Sequence, residues 1–121
     1  MAMINLILDE DIVAAGDRIS GKLAYPTQTV PKAAKVELLW YTEGRGTCDR
    51  KIIDTFSLDP QQLTLGLPLP FTLQTPYEGP ITYNGSLLRI IWSIKASISS
   101  PGMISKKEEK TKLFSVVCRG S

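Results

Sequence analysis

The sequence of 121 residues contains no histidine. Histidine is the commonest general base and the commonest transition-metal ligand in proteins, and it activates the serine or cysteine of catalytic pairs. Its absence removes these catalytic designs, so we expect a protein that is not an enzyme and has no cofactor. The two cysteines, Cys48 and Cys118, are too few for a disulfide framework, and we expect both to be buried or half-buried strand residues.

The chain also lacks an excess of charge of one sign and any long apolar run. Its 14 basic and 12 acidic residues give a net charge of +2, which does not favour nucleic-acid binding. The densest basic stretch, residues 106–112, also carries Glu108 and Glu109, and we expect a solvated connecting loop there. No apolar run approaches the roughly 20 residues that span a bilayer, and the N-terminus lacks the layout of a secretory signal. We therefore expect one cytoplasmic domain, residues 1–121, with no integral membrane segment.

Three stretches carry residue types that are found in ligand sites, and each has a simpler interpretation. Asp9, Glu10 and Asp11 could supply oxygens to calcium, but calcium takes six to eight ligands and three consecutive side chains cannot all face one ion. The glycines around Arg45 lack the spacing of a phosphate-binding loop and precede a strand pattern. The two tryptophans at positions 40 and 92 share a strand face with aliphatic residues, which indicates core packing. The sequence therefore predicts no metal or phosphate site.

What the chain has instead is long, regular alternation of apolar and polar residues. In LLRIIWSIKASI, residues 87–98, every second residue from Leu88 to Ile98 is apolar, while Arg89, Ser93 and Lys95 lie on the opposite face. Successive side chains of a strand point to opposite faces, so this period predicts a strand with one buried and one more solvated side. Its length exceeds that of an ordinary strand.

Similar alternation recurs along the sequence and predicts a sandwich of about seven strands. It is found at residues 3–8, 18–25 and 34–42, and the segment 43–47 reads as a hairpin connection to a returning strand at 48–58. Pro68 and Pro70 make the next part of the chain a sheet edge or an irregular approach to one, because proline cannot donate to a strand ladder. Many short strands with turns between them predict an all-β, two-sheet antiparallel sandwich.

The order of four motifs resembles the arrestin-like family. AAGDRISGKLAY is similar to its second-strand region, PKAAKVELLWYTEGRGT to the long strand that follows, and LPLPFTLQTP to its proline-phenylalanine element. ITYNGSLLRIIWSIKASI is similar to the segment in which Pro-x-Ser-Phe-x-Gly leads into Ile-x-Tyr-x-Val-x-Ala. The resemblance covers residues 4–118. The group includes arrestins, trafficking adaptors, a retromer-type subunit and sporulation-control proteins.

This resemblance implies an immunoglobulin-like β-sandwich of the arrestin amino-terminal type that recognises other proteins without catalysis. Arrestin-type proteins usually have two such sandwiches, and this length accommodates one. No arginine here matches the buried charged cluster of arrestins. Only the fold and the broad binding role are therefore carried over.

Two functions remain open at this point. The first is an adaptor or scaffold module that binds a protein partner through sheet edges or end loops, with candidate contacts Tyr41, Glu43, Arg45 and Arg50 on or beside the protruding hairpin. The alternative is a structural subunit that forms a homo-oligomer through a sheet face, because Leu39, Leu87 and Ile91 interrupt otherwise polar faces.

Overall fold

The structure is a computed structural model that describes residues 4–25, 30–44, 49–64, 67–85, 88–99 and 107–118. Within these ranges the chain forms nine strands and one short helix. In chain order they are β1 Asn5–Leu8, β2 Ile12–Ala14, β3 Arg18–Ala24, β4 Ala33–Gly44, β5 Arg50–Leu58, α1 Pro60–Leu63, β6 Leu69–Gln74, β7 Tyr83–Asn84, β8 Leu88–Ser99 and β9 Lys107–Val117.

The strands form two sheets, which confirms the predicted all-β sandwich. One sheet has three strands in the order β1-β3-β6, and the other has six, with the path β2-β9-β8-β4-β5 and β7 paired to β8. The described strands outnumber the seven expected because β2 and β7 have three and two residues, too few for a visible alternation. All pairs are antiparallel except β2 with β9, which is parallel and departs from the purely antiparallel expectation.

The alternating positions meet between the two sheets and form the core. From β8 the core receives Trp92, Ile94, Ala96 and Ile98, all at most 1% exposed, and the three-stranded sheet contributes Ile19, Leu23, Phe71 and Leu73. Burying one side chain of this size stabilises the fold by about 1.5–3 kcal/mol. The Trp92 indole Nε1 donates a hydrogen bond to the Pro80 carbonyl at 3.0 Å, so the polar atom of this buried ring is satisfied.

A glycine allows close approach of strands in the three-stranded sheet. Gly21 of β3 lies opposite Leu8 of β1 and Phe71 of β6. A Cβ atom added at Gly21 would lie 2.3 Å from the Ile7 carbonyl oxygen and 2.8 Å from the Phe71 ring. The ring of Phe71 thus occupies the space that a side chain at position 21 would take.

Two strand edges lie near each other at the side of the sandwich. Pro70 lies in β6, which among the described strands pairs only with β3, so the predicted edge position is confirmed. The Asp54 carboxylate of β5 accepts hydrogen bonds from the backbone amides of Thr55, at 2.9 Å, and of Gln74 in β6, at 3.0 Å. One side chain therefore joins the edge strands of the two sheets.

Two expectations about the C-terminal part are wrong. Residues 107–112 belong to β9 rather than to a loop, since they pair in register with β8 and Glu109 forms an ion pair with Lys95 of that strand. Cys118 follows β9 and is exposed rather than half-buried, whereas Cys48 lies outside the described residues. The one helix in the described ranges, α1, has four residues, and no described helix is long and apolar enough to cross a membrane.

Candidate functional site

The candidate site lies on the outer face of the six-stranded sheet, opposite the core. Strand register places matching residues side by side across this face. One row consists of Ile52, Leu39, Ser93 and Leu113 from β5, β4, β8 and β9. In the next row, Arg50 lies beside Tyr41 and Tyr41 beside Ile91.

The centre of this outer face is buried, contrary to the solvated side that the alternation predicts. Leu39 is 3% exposed and Ser93 is 1% exposed, and Glu37 and Ser97 are also buried. Alternation identifies which residues share a face. The burial of that face also depends on sheet curvature and on neighbouring side chains, about which the pattern holds no information.

An open groove of about 510 Å³ runs over this face. Its lining residues are Leu39, Tyr41, Thr42, Glu43, Asp49, Arg50, Ser93, Lys95 and Thr111. The volume lies within the usual range for ligand pockets, and the lining combines an apolar floor with a few polar groups.

Three of the four predicted contact residues line the groove. Tyr41 and Glu43 come from β4 and Arg50 is the first residue of β5, so the hairpin pairing brings them together. Arg45 lies outside the described residues. Ser93, Lys95 and Thr111 were not predicted as contact residues. They come from strands distant in sequence from the hairpin, and the alternation predicted that the outer positions of β8 face solvent.

Ion pairs fix several of the charges around the groove. The Lys95 Nζ lies 2.6 Å from Glu109 Oε2, and Arg89 Nη1 lies 3.3 Å from Glu43 Oε2. The hydrogen bond from Lys95 is the largest cause that lowers the pKa of the Glu109 carboxyl below its ordinary value, and the positive charges of Lys95 and Lys107 act in the same direction. The Thr42 hydroxyl accepts a hydrogen bond from the Asp49 amide at 2.9 Å, which fixes the end of the hairpin.

The Ser93 hydroxyl differs from these groups. Its Oγ atom is buried and has no hydrogen-bond partner in the described part of the chain. An unpaired buried hydroxyl costs about 1–3 kcal/mol, and such groups are rare in folded proteins. Ser93 is therefore the polar group of the groove that most clearly lacks a partner.

The residues predicted for self-association do not form an exposed patch. Leu39 and Ile91 are buried, at 3% and 9% exposure, and Leu87 lies outside the described residues. Ile52 on β5 is exposed on the same outer face, and three further exposed apolar residues lie on β2 and β9. These are Ile12, Leu113 and Val117.

The other stretches weighed from the sequence lie away from the groove. Asp9, Glu10 and Asp11 are exposed, and within the described ranges no three cysteine, aspartate or glutamate residues converge in a way that could hold a metal ion. Trp92 is in the core and Trp40 packs against it at partial burial, as expected of strand residues that share the aliphatic face.

No family model and no curated protein sequence matches this chain. Among solved structures, the chain is similar to Spo0M, a sporulation control protein from Bacillus subtilis, with a TM-score of 0.65 and 17% sequence identity. The match covers 95% of this chain and 49% of Spo0M, so the chain spans about half the length of that protein. Together with the two-sheet topology, this similarity shows that the chain has the arrestin-like fold.

Proposed function

We propose that this chain is a non-enzymatic protein-binding module, an adaptor or scaffold, that recognises its partner through the groove on the outer face of the six-stranded sheet. The observation that carries the proposal is the pairing of Tyr41 with Arg50 in the wall of the groove. Tyrosine and arginine are among the residues that contribute most to binding energy in protein interfaces.

Three features support binding rather than catalysis. The chain has no histidine, and the polar residues of the groove are hydroxyls, two acids and two bases without a nucleophile-base pair. The groove is open along the sheet face, as suits a segment of another protein. It is also built on long paired strands, which hold its side chains in fixed positions.

The test is affinity capture from native lysate with three versions of the full chain. The wild type should retain a set of proteins that the double variant Tyr41→Ala/Arg50→Glu loses by at least about 10-fold, a loss that corresponds to 1.4 kcal/mol. The matched control is Lys22→Glu, a charge reversal at an exposed position of β3 in the opposite sheet. Equal recovery by the double variant and the wild type would contradict the proposed use of the groove.

Self-association is a second candidate, because Ile12, Leu113 and Val117 are exposed on one face of the paired strands β2 and β9. Exposed apolar residues that cluster in this way can form a contact between copies. The molar mass of the purified chain in solution tests this: a dimer that Leu113→Asp converts to a monomer would support it. A wild-type monomer at all concentrations would rule out this candidate and leave the binding module unaffected.

A further inference from the structure

The polar groups of the groove differ in whether the fold already gives them a partner. Glu43 and Lys95 are engaged in ion pairs with Arg89 and Glu109. The Ser93 hydroxyl has no partner, and the Arg50 guanidinium makes no ion pair or hydrogen bond with the described residues. Ser93 and Arg50 thus offer the groove a hydroxyl, which can donate, and a cation, which can only donate.

We infer that the groove binds the side-chain carboxylate of a glutamate in an extended peptide segment of the partner, held between Arg50 and Ser93. This inference rests on the proposed protein-binding function and names the chemistry that the partner must carry. A carboxylate accepts from both donors at once, and a hydrogen bond with a charged partner is about twice as strong as a neutral one.

The strand geometry allows one carboxylate to reach both groups. Arg50 lies on β5 and Ser93 on β8, with β4 between them. Neighbouring strands are about 4.8 Å apart, which separates the two backbones by roughly 10–12 Å once the offset along the strands is included. The long side chain of Arg50 and the ligand's carboxylate together span that gap.

The floor of the groove selects a side chain with an apolar stem. Leu39, beside Ser93, and the ring of Tyr41, beside Arg50, provide apolar contact between the two polar groups. Glutamate has one more methylene than aspartate to place on this floor. Ser93 Oγ is buried, so the ligand reaches it only as neighbouring side chains of the groove lining turn aside.

Asp49 limits the number of ligand carboxylates that the groove accepts. It lies next to Arg50 at the hairpin end of the groove, one position farther from Ser93. Its charge repels a second acidic residue on that side, so the groove takes one carboxylate and not an acidic run. Removing this charge in Asp49→Asn should tighten binding of a single glutamate about 2- to 5-fold at low salt and less at high salt.

The experiment titrates the ¹⁵N-labelled full chain with three probes and follows the backbone amide signals of residues 50, 93 and 95. The probes are acetyl-Ala-Ala-Glu-Ala-Ala-amide, the same peptide with glutamine, and sodium propionate. The glutamate peptide should bind at least 10-fold more tightly than the other two. Equal binding of the glutamine peptide would overturn carboxylate recognition, and equal binding of propionate would overturn a peptide in favour of a small organic acid.

Two variants and a control locate the site. Ser93→Ala and Arg50→Gln should each weaken the glutamate peptide about 10-fold, whereas Lys22→Gln on the opposite sheet should leave binding unchanged. Unchanged affinity in Ser93→Ala, with the amide spectrum showing a folded chain, would overturn the inference. If lysate partners are lost in Tyr41→Ala/Arg50→Glu but retained in Ser93→Ala, the inference fails while the proposed function stands. If the wild type retains no partner, the proposed function fails, and the peptide titration still decides whether the groove binds a carboxylate.

Discussion

At the scale of single residues, the unpaired hydroxyl of Ser93 makes a prediction about stability. Its burial without a partner is unfavourable, so Ser93→Ala should leave the free energy of unfolding unchanged or raise it by up to about 1 kcal/mol. Ser97 provides the comparison, because its hydroxyl lies 3.4 Å from Glu109 Oε2. Ser97→Ala should lose about 0.5–1 kcal/mol.

Urea denaturation of both variants measures these changes. A stabilised Ser93→Ala that has lost peptide binding would show that the fold retains an unfavourable group for the sake of the ligand. If Ser93→Ala lowers the free energy of unfolding more than Ser97→Ala does, the prediction is contradicted. The Ser93 hydroxyl then has a hydrogen-bond partner, for example a buried water.

The Glu109 carboxyl predicts a modest dependence of stability on pH. Its pKa in the folded chain is lowered, first by the hydrogen bond from Lys95, so the native state binds its proton more weakly than the unfolded state does. The resulting stabilisation is present above the unfolded pKa, near 4.5, and is lost as the pH falls through the lower folded value. Because the side chain is 39% exposed, solvent screening should keep the contribution below about 1 kcal/mol.

An NMR titration of the glutamate side-chain carbons checks this. In the wild type, the Glu109 signal should move at a lower pH than in Lys95→Met, in which the hydrogen bond and the positive charge are both removed. The same titration midpoint in both proteins would show that Lys95 is not the cause.

The residue scale also shows how far the sequence could predict the site. Hairpin reasoning identified Tyr41, Glu43 and Arg50 because they flank one turn and are close in the chain. Ser93 has no such local signal. It lies on the outer face of β8, between two core residues, and its burial follows from the packing of the whole sheet. The lack of a partner for its hydroxyl becomes visible only in the hydrogen bonds of the described part of the folded chain.

At the scale of elements, the Asp54 carboxylate connects the edge strands β5 and β6, and its removal should affect both. Asp54→Ala removes the acceptor for the Thr55 and Gln74 amides and should lower the free energy of unfolding by about 1–2 kcal/mol. It also leaves two strand edges with free amides, which favours pairing between chains.

Thermal denaturation and light scattering at rising concentration measure the two effects. The matched variant is Asp59→Ala, which removes a carboxylate that caps the short helix α1 by accepting from the Gln61 amide. It should cost about 0.5–1 kcal/mol without new association. Association to the same extent in both variants would contradict the edge argument.

The elements differ in how well the sequence predicted them. Strands β3, β4 and β8 were predicted because one side of each packs on the core, which imposes a period of two. The start of β9 was missed because its charged residues have no such period. Backbone pairing with β8 and the ion pair between Glu109 and Lys95 hold this part instead. The helix α1 did have a signal, an aspartate cap at Asp59 followed by Pro60 at its first position.

At the scale of the whole molecule, the core between the two sheets predicts one cooperative unfolding transition. Leu38 of β4 is fully buried, and Leu38→Ala should lower the free energy of unfolding by about 2–5 kcal/mol through lost packing and the cavity left behind. Ile52, on the neighbouring strand β5, is exposed on the outer face. Ile52→Ala should change stability by no more than about 0.5 kcal/mol.

Urea denaturation followed by tryptophan fluorescence and by far-ultraviolet circular dichroism tests this. The two signals should change together in each variant, with an unchanged slope and a lower midpoint in Leu38→Ala. Separate transitions for the two signals would show that the sheets unfold independently.

The close approach at Gly21 links two parts of the sequence that looked like separate motifs. Since the Ile7 carbonyl oxygen and the Phe71 ring both lie where a Cβ atom at position 21 would be, β1 and β6 together leave no room for a side chain there. A smaller residue in place of the phenylalanine would relieve only the contact with the ring, so a methyl group at position 21 should still displace β1 from β3. Proteins built on the same sheet are therefore expected to keep a glycine at this position, which offers a way to recognise such proteins when their overall identity is too low to align.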